Sequence, residues 1–319
     1  VNPWLALGIP PALGVLAQLF LSAREKRRFP PPGVLVDTGN LALHFQVSGE
    51  GPAPSVVLDS ALAGTSLSWA RVQPAVAAFA RVASYDRGGF GWSGPSPEPR
   101  RVDVLVEELR RGLKALPLEP PFVLVGHSYG GFVAKLFAAR HPEEVAGLVL
   151  VDVPHPRKWA DPDESERRRI ERGARIARGA AVLALFGLAR ILFRLAGAGR
   201  LESLPGLLAK LPASERARIR SFWVRASTLR ALASLIEEAP RSAVLLESET
   251  GDLGDRPLAV LTASDPTPER IRDQEVEARR SRLSWHVIAE KSGHWIPLDE
   301  PELVVEAIRE VVSKARRGS

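Results

Sequence analysis

A chain of 319 residues with 45% hydrophobic and 25% charged content is long enough for one large α/β domain carrying an insertion, and its composition is that of a globular protein. It contains neither cysteine nor methionine, which excludes disulfides, thiolate nucleophiles and cysteine-ligated metals. The formal charge of +6 is uneven, because the stretch from His155 to Ala243 holds 18 Lys/Arg against 9 Asp/Glu. Such a segment attracts anionic lipid or acidic substrates. No recognition motif or aromatic-interleaved basic strand accompanies it, so nucleic acid is not an expected partner.

Residues 1–30 form the first region. Trp4 to Leu21, WLALGIPPALGVLAQLFL, carries no charge and is followed at once by REKRR, Arg24 to Arg28. At 1.5 Å per residue the run spans about 27 Å, close to the hydrocarbon core of a bilayer. A secretory signal would place its positive charges before the apolar run. The expected reading is a single membrane anchor over residues 4–21, with the basic end and everything after it on the cytoplasmic side. Pro10 and Pro11 are expected to kink such a helix, and a helix lying on a surface is the alternative. FPPPG, Phe29 to Gly33, then reads as a stiff spacer.

From Val34 onward, short β-rich runs alternate with helical patterns. Strands are expected at Val34–Asp37, Leu41–Val47, Ser55–Asp59, Val82–Tyr85, Phe122–Val125, Leu148–Val151, Leu258–Leu261 and Trp285–Ile288. Helices are expected at Val102–Leu116, Phe132–Arg140 and Glu302–Lys314. Continuous apolar strands alternating with helices imply a mostly parallel eight-stranded sheet flanked by helices, opened by a hairpin at Thr38–Asn40. The alternation stops over residues 154–256, which read as an all-helical insertion late in the sheet. The core is therefore assigned to residues 31–153 and 257–316.

The stretch GHSYGG, Gly126 to Gly131, follows a buried strand and opens a helix. In that setting G-x-S-x-G reads as an elbow that lifts the Ser128 hydroxyl above the strand ends, while the Tyr129 amide faces a developing oxyanion. A serine needs a base. Of six histidines, His294 combines a loop position with the end of the strand order; His155 is its competitor. The carboxylate that fixes the base's tautomer is expected to be Asp265, past the Leu258–Leu261 strand, with Asp152 at the end of GLVLVD as the alternative acid. The second oxyanion donor is expected in SALAGTSLSW, Ser60 to Trp69, at Ala61, with Ser60 and Leu62 beside it.

These residues resemble the α/β-hydrolase fold superfamily. The resemblance runs from about Pro31 to Arg316 through VVLDSALAGTSLSWARVQPAVA, SYDRGGFGWSG, VLVGHSYGGFVAKLFAARHPEEVAGLVLVDVPHP and SGHWIPLDEPELV. It is nearest to bacterial members with an N-terminal membrane segment. The resemblance implies a serine nucleophile at Ser128, an acid at Asp265, a base at His294 and a helical cap made by the insertion. Many members have His-Gly where this chain has Asp59-Ser60, which puts the oxyanion loop in question. YDRGGFGWS, Tyr85 to Ser93, matches a family turn that buttresses the site. Relatives that open epoxides or displace halide carry aspartate at the elbow, so Ser128 points instead to acyl transfer to water.

The expectation is a serine hydrolase cleaving a carboxylic ester of apolar or lipid-like character, with no cofactor and no metal. Its partners are expected to be the small-molecule ester and membrane lipid, met through residues 4–21 and the basic cap. Trp159, Phe186 and Trp223 are candidate pocket residues. An amidase or aminopeptidase-like relative, with Glu237 and Glu238 near a substrate amine, and a non-catalytic ligand-binding member are the alternatives. Peroxidase-type side chemistry also occurs on this fold.

Overall fold

The computed structural model describes residues 3–195, 210–211 and 213–318, and side chains from residue 11 onward within them, except those of residues 195, 213 and 214. Eight strands form one sheet: β1 (Val34–Asp37), β2 (Ala42–Ser48), β3 (Ser55–Asp59), β4 (Val82–Asp86), β5 (Phe122–His127), β6 (Val145–Val151), β7 (Leu258–Ala263) and β8 (Ser284–Ala289). Their spatial order is β1-β2-β4-β3-β5-β6-β7-β8. The β1–β2 and β2–β4 pairs are antiparallel and all others are parallel. The sheet is thus the mostly parallel one expected, and each expected strand lies within a residue or a few of an observed one.

Both faces of the sheet are covered, and this is why the central strands are apolar without alternation. Within β5, Phe122 and Leu124 enter one core cluster with Phe132, Phe137 and Leu148. Val123 and Val125 enter the other, with Val56, Leu58, Val149 and Ile308. Successive side chains point to opposite faces, so one strand supplies both cores. On the first face lie α3 (Val102–Lys114) and α4 (Tyr129–Arg140). The short α2 (Gln73–Val76) and α11 (Ile296–Asp299) and the C-terminal helix, α12 (Pro301–Gly318), lie on the second.

Between β6 and β7 the described chain is helical: α5 (Arg157–Ala160), α6 (Glu164–Leu185), α7 (Leu188–Leu195), α8 (Ala213–Trp223) and α9 (Ala226–Glu249). This insertion meets the core through an apolar cluster. The cap contributes Ala184, Phe222, Trp223 and Leu229, and the core contributes Leu67, Leu298 and Trp295. Trp223 is therefore packed at this junction. Trp159 instead packs on the rings of Phe132 and Tyr129, at 5.3 and 6.2 Å, and the Phe186 backbone lies against the N-terminal helix at Gly14.

That helix, α1 (Pro3–Arg28), runs through Pro10 and Pro11; proline's fixed φ is itself helical, and the cost is the lost hydrogen bonds together with the crowding of each ring against the preceding turn. The side chains of residues 4–10, part of the expected anchor, lie outside the described residues. Among the described residues no single helix is long and apolar enough to cross a membrane. The described side of α1 that meets the cap is polar. Gln18 is buried and donates to the Val224 carbonyl at 2.9 Å. Arg190 of α7 reaches Gln18, Ser22 and Glu25.

Candidate active site

Parallel pairing brings the carboxyl ends of four strands together. Asp59 stands opposite Gly126, His127 opposite Val151, and Val151 opposite Leu261. The ladder continues past the strands: Ser128 N donates to Val151 O at 2.9 Å, Asp152 N to Leu261 O at 2.7 Å, and Ser264 N to Ser292 O at 2.8 Å. The loops holding Ser128, Asp152, Asp265 and His294 therefore share one rim of the sheet, where open α/β sheets bind ligands.

Ser128 has φ +54° and caps α4. A non-glycine residue in that conformation is strained, and such strain gathers at functional sites. The glycines around it are explained by close approach. A Cβ on Gly126 would collide with the backbone of Gly130 and Gly131, and one on Gly130 would strike the carbonyls of Asp59 and Ser60. Removing both side chains lets the elbow close and brings the loop after β3 against the first turn of α4. The Tyr129 amide, at the start of that helix, has no intrahelical acceptor. The Ser128 side chain is only partly buried, and among the described residues it makes no hydrogen bond.

His294 Nδ1 donates to Asp152 Oδ2 at 2.6 Å. This fixes the tautomer and leaves Nε2 free to accept a proton. His127, the residue before Ser128, anchors the histidine loop from the other side: its Nε2 donates to the His294 carbonyl at 2.7 Å, and the two rings lie 4.9 Å apart. Because a carbonyl only accepts, Nε2 carries the proton of the neutral ring, and Nδ1 is buried without a partner. Burial first, then the neighbouring His294, pushes the His127 pKa down to about 3. Burial works against ionisation of Asp152, yet the hydrogen bond from His294 and the charge of Arg270 hold its carboxyl well below the ordinary carboxylate range.

The expectation for the acid is corrected by this geometry. Asp265 is exposed and makes no hydrogen bond to His294, whereas Asp152 does. Asp152 is the first residue beyond β6, and its Oδ1 is held by the Ala263 amide at 3.2 Å and by Arg270 at 2.9 Å. Asp265 is two residues beyond β7, where φ +50° turns the chain into solvent before Pro266. His155 lies 3.8 Å from Glu247, His286 is bonded to Thr262, and His141 faces Glu107. None of these three is bonded to either aspartate.

Ala61 is buried in the loop after β3, and the departure at Asp59-Ser60 has a structural account. Asp59 accepts from Tyr85 OH at 2.8 Å and from Arg87 Nε at 2.9 Å. Arg87 in turn donates to the carbonyls of Ser60 and Ala61. A buried ion pair thus grips the carbonyls on either side of the Ala61 amide. Burial, with the nearby Asp59 charge, pushes the Tyr85 phenol well above its ordinary value. The rest of the YDRGGFGWS turn is structural: Asp86 accepts from Ser66 N, Trp92 N and His44 Nδ1.

Sequence reasoning missed the roles of Arg87, His127 and Arg270. The first two stand inside quoted motifs, YDRGG and GHSYGG. The only local signal for Arg270 is a cation in the first turn of α10 (Pro268–Ala278), where the helix dipole disfavours positive charge.

The comparisons with known proteins agree with this architecture. A family model described as the alpha/beta hydrolase fold matches residues 54–301. The uncharacterized protein YqjL of Bacillus subtilis is 32% identical over 111 residues, 35% of this chain and 44% of its own length. The curated relatives first matched are covered over less than half their own length. Among solved structures, the malate-bound thermophilic esterase from Thermogutta terrifontis superposes with a TM-score of 0.61 at 25% identity, covering 88% of this chain and 97% of that one. The enol-lactonase from Burkholderia xenovorans gives 0.62 at 19% identity, covering 88% and 100%, a likeness of fold. With its model spanning most of the chain and its sheet, elbow and late helical insertion all present, this chain belongs to the α/β hydrolase fold family.

Proposed function

We propose that the protein is a serine hydrolase that cleaves carboxylic esters through an acyl-enzyme on Ser128. The observation that carries this reading is the Asp152–His294 hydrogen bond on the rim where Ser128 is held at positive φ. Ser128 Oγ attacks the ester carbonyl while His294 Nε2 takes its proton, and Asp152 stabilises the imidazolium that forms. The Tyr129 and Ala61 amides receive the oxyanion, a contribution of roughly 3 kcal/mol per donor. His294 then protonates the leaving alcohol and activates water to release the acid. A fluorophosphonate probe tests the reading: labelling of Ser128 is expected in the native chain and lost in His294→Ala. An unlabelled Ser128 in the native chain overturns it and favours the non-catalytic alternative.

An apolar acyl group is the favoured substrate. The cap closes on the core through an apolar cluster that includes Ala63 and Leu67, beyond the Ala61 loop, and Trp295 and Leu298, beyond His294. The aminopeptidase-like alternative draws less support, because Glu237 is paired with Arg178 and Glu238 with Arg241. A panel of p-nitrophenyl esters of graded length, with Ser128→Ala as control, is expected to show kcat/KM rising with acyl length. A flat or falling series overturns the apolar assignment.

The N-terminal helix and cap are read as the lipid-meeting side, on the cytoplasmic leaflet. Leu13, Leu16, Leu19 and Phe20 of α1 are exposed, as are Leu188, Ile191 and Leu192 of α7. Gly14 packs against Phe186, so the two groups adjoin. Exposed cations lie on the same elements: Lys26, Arg27 and Arg28 on α1, Arg172 and Arg175 on α6, and Arg194 on α7. Exposed apolar side chains accompanied by positive charge fit an anionic interface. Cosedimentation with vesicles of phosphatidylcholine plus anionic lipid is expected, and it should weaken in a Leu16→Asp, Phe20→Asp variant. Equal binding to neutral vesicles, or none to either, overturns this part of the reading.

A further inference from the structure

The pairing of Asp152 with His294 leaves one neighbour unaccounted for. The guanidinium of Arg270 lies on the Asp152 oxygen that the histidine does not use, with Nη2 2.9 Å from Oδ1. Thr267 caps α10 by accepting from the Arg270 amide, so the arginine stands in the turn where backbone N–H groups already concentrate positive charge. A partly exposed ion pair at such a place contributes little stability, and an acidic residue would suit the helix better.

We infer that Arg270 is a positioning residue that tunes the catalytic base: it shares the Asp152 carboxylate with His294, fixes which oxygen faces the imidazole, and draws off part of the negative charge that would otherwise stabilise the imidazolium. The consequence is a carboxylate whose charge is divided between imidazole and guanidinium, so that removing the guanidinium strengthens its hold on the imidazolium. The inference rests on the reading of Asp152 and His294 as acid and base.

The other charged or titratable groups around the pair leave Arg270 as the adjustable one. His127, from the end of β5, is buried and neutral across the working range, for the reason given above. Arg87 is paired with Asp59, and Asp299, which bonds Ser292 in the histidine loop, is paired with Lys210. Glu269, the neighbour of Arg270 on α10, faces Lys158 at 3.4 Å, and Asp265 is exposed. Among the described residues, no charged group of the cap is bonded to Asp152 or His294. The geometry also explains the displaced acid: the loop after β7, where the carboxylate was expected, leads instead into the helix that supplies a cation to the carboxylate of β6.

The test is a titration of the His294 imidazole by NMR in the full chain, with the resonance assigned by its loss in His294→Ala. In Arg270→Gln the midpoint is expected to rise by roughly half to one pH unit, as for a cation removed at this range. In Arg270→Lys, which keeps the charge, it should stay within about a third of a unit of the native value. Where esters are turned over, the acid limb of kcat/KM moves by the same amount. An unmoved midpoint in Arg270→Gln overturns the inference, as does an equal rise in the lysine variant. Loss of the native fold in both Arg270→Gln and Arg270→Met also overturns it, because the residue would then be structural. The titration needs no turnover, so failure of the ester-hydrolase reading shows as an unlabelled Ser128 and is told apart from failure of this inference.

Discussion

The loops that leave β6 and β7 begin alike and end differently. Each carries an aspartate at positive φ, Asp152 at +46° and Asp265 at +50°. Each lies on the rim that holds Ser128. Asp152 is nearly buried, and its two oxygens are taken by His294, the Ala263 amide and Arg270. Asp265 is exposed. A strand-end carboxylate thus becomes a candidate acid through the partners that converge on it. One residue of extra reach beyond the strand is enough to move it out of range.

Ester hydrolysis in variants separates the two aspartates. Ser128→Ala is expected to lower kcat by about 10⁵-fold or more, since neither acid matters without a nucleophile. Asp152→Asn keeps the shape but loses the tautomer control and the charge, and should cost about 10⁴-fold in kcat, whereas Asp265→Asn should change kcat less than about threefold. The reverse order of those two would return the acid to β7. Smaller again is Arg87→Met, which removes the grip on the Ala61 loop: kcat should fall about 10²-fold. Denaturant unfolding of that variant should show a loss of about 3–5 kcal/mol, because Asp59 is left buried and unpaired.

The smallest effect is one of pH. The unfolded chain binds a proton at His127 near pH 6.5, while the folded chain resists it until about 3. Between those values the unfolded state holds more protons, so stability falls as pH falls through that window. Asp152, depressed when folded, adds a further loss as pH drops below about 4. His127→Gln can still donate to the His294 carbonyl, so its unfolding free energy should change less between pH 7 and 5 than the native chain's, by about 2 kcal/mol at most. Parallel pH dependence in the two proteins would remove His127 from the account.

Much of this was legible because it is local. Val34–Asp37 and Ser55–Asp59 are strands as their composition predicts. Gly126 and Gly130 mark the elbow because a Cβ at either place collides within a few residues or with the adjacent strand end. Ser128 and His294 follow from strand–turn–helix context and chain order. Less legible was α1, whose long uncharged run hides the single Gln18 that turns one face toward the cap.

The alternation that makes a parallel sheet, and the glycines that allow a serine to stand in a strained turn, are written in the chain itself. Those are properties of neighbouring residues and of period-two burial. Which aspartate meets the imidazole, how Arg87 holds the Ala61 loop beside Asp59, and the sharing of the acid with Arg270 depend on the folded chain. Each of these joins groups separated by 26 to 142 positions. A hydrogen bond is set by ångströms between side chains, and two strand ends that read alike in sequence can differ by more than its reach.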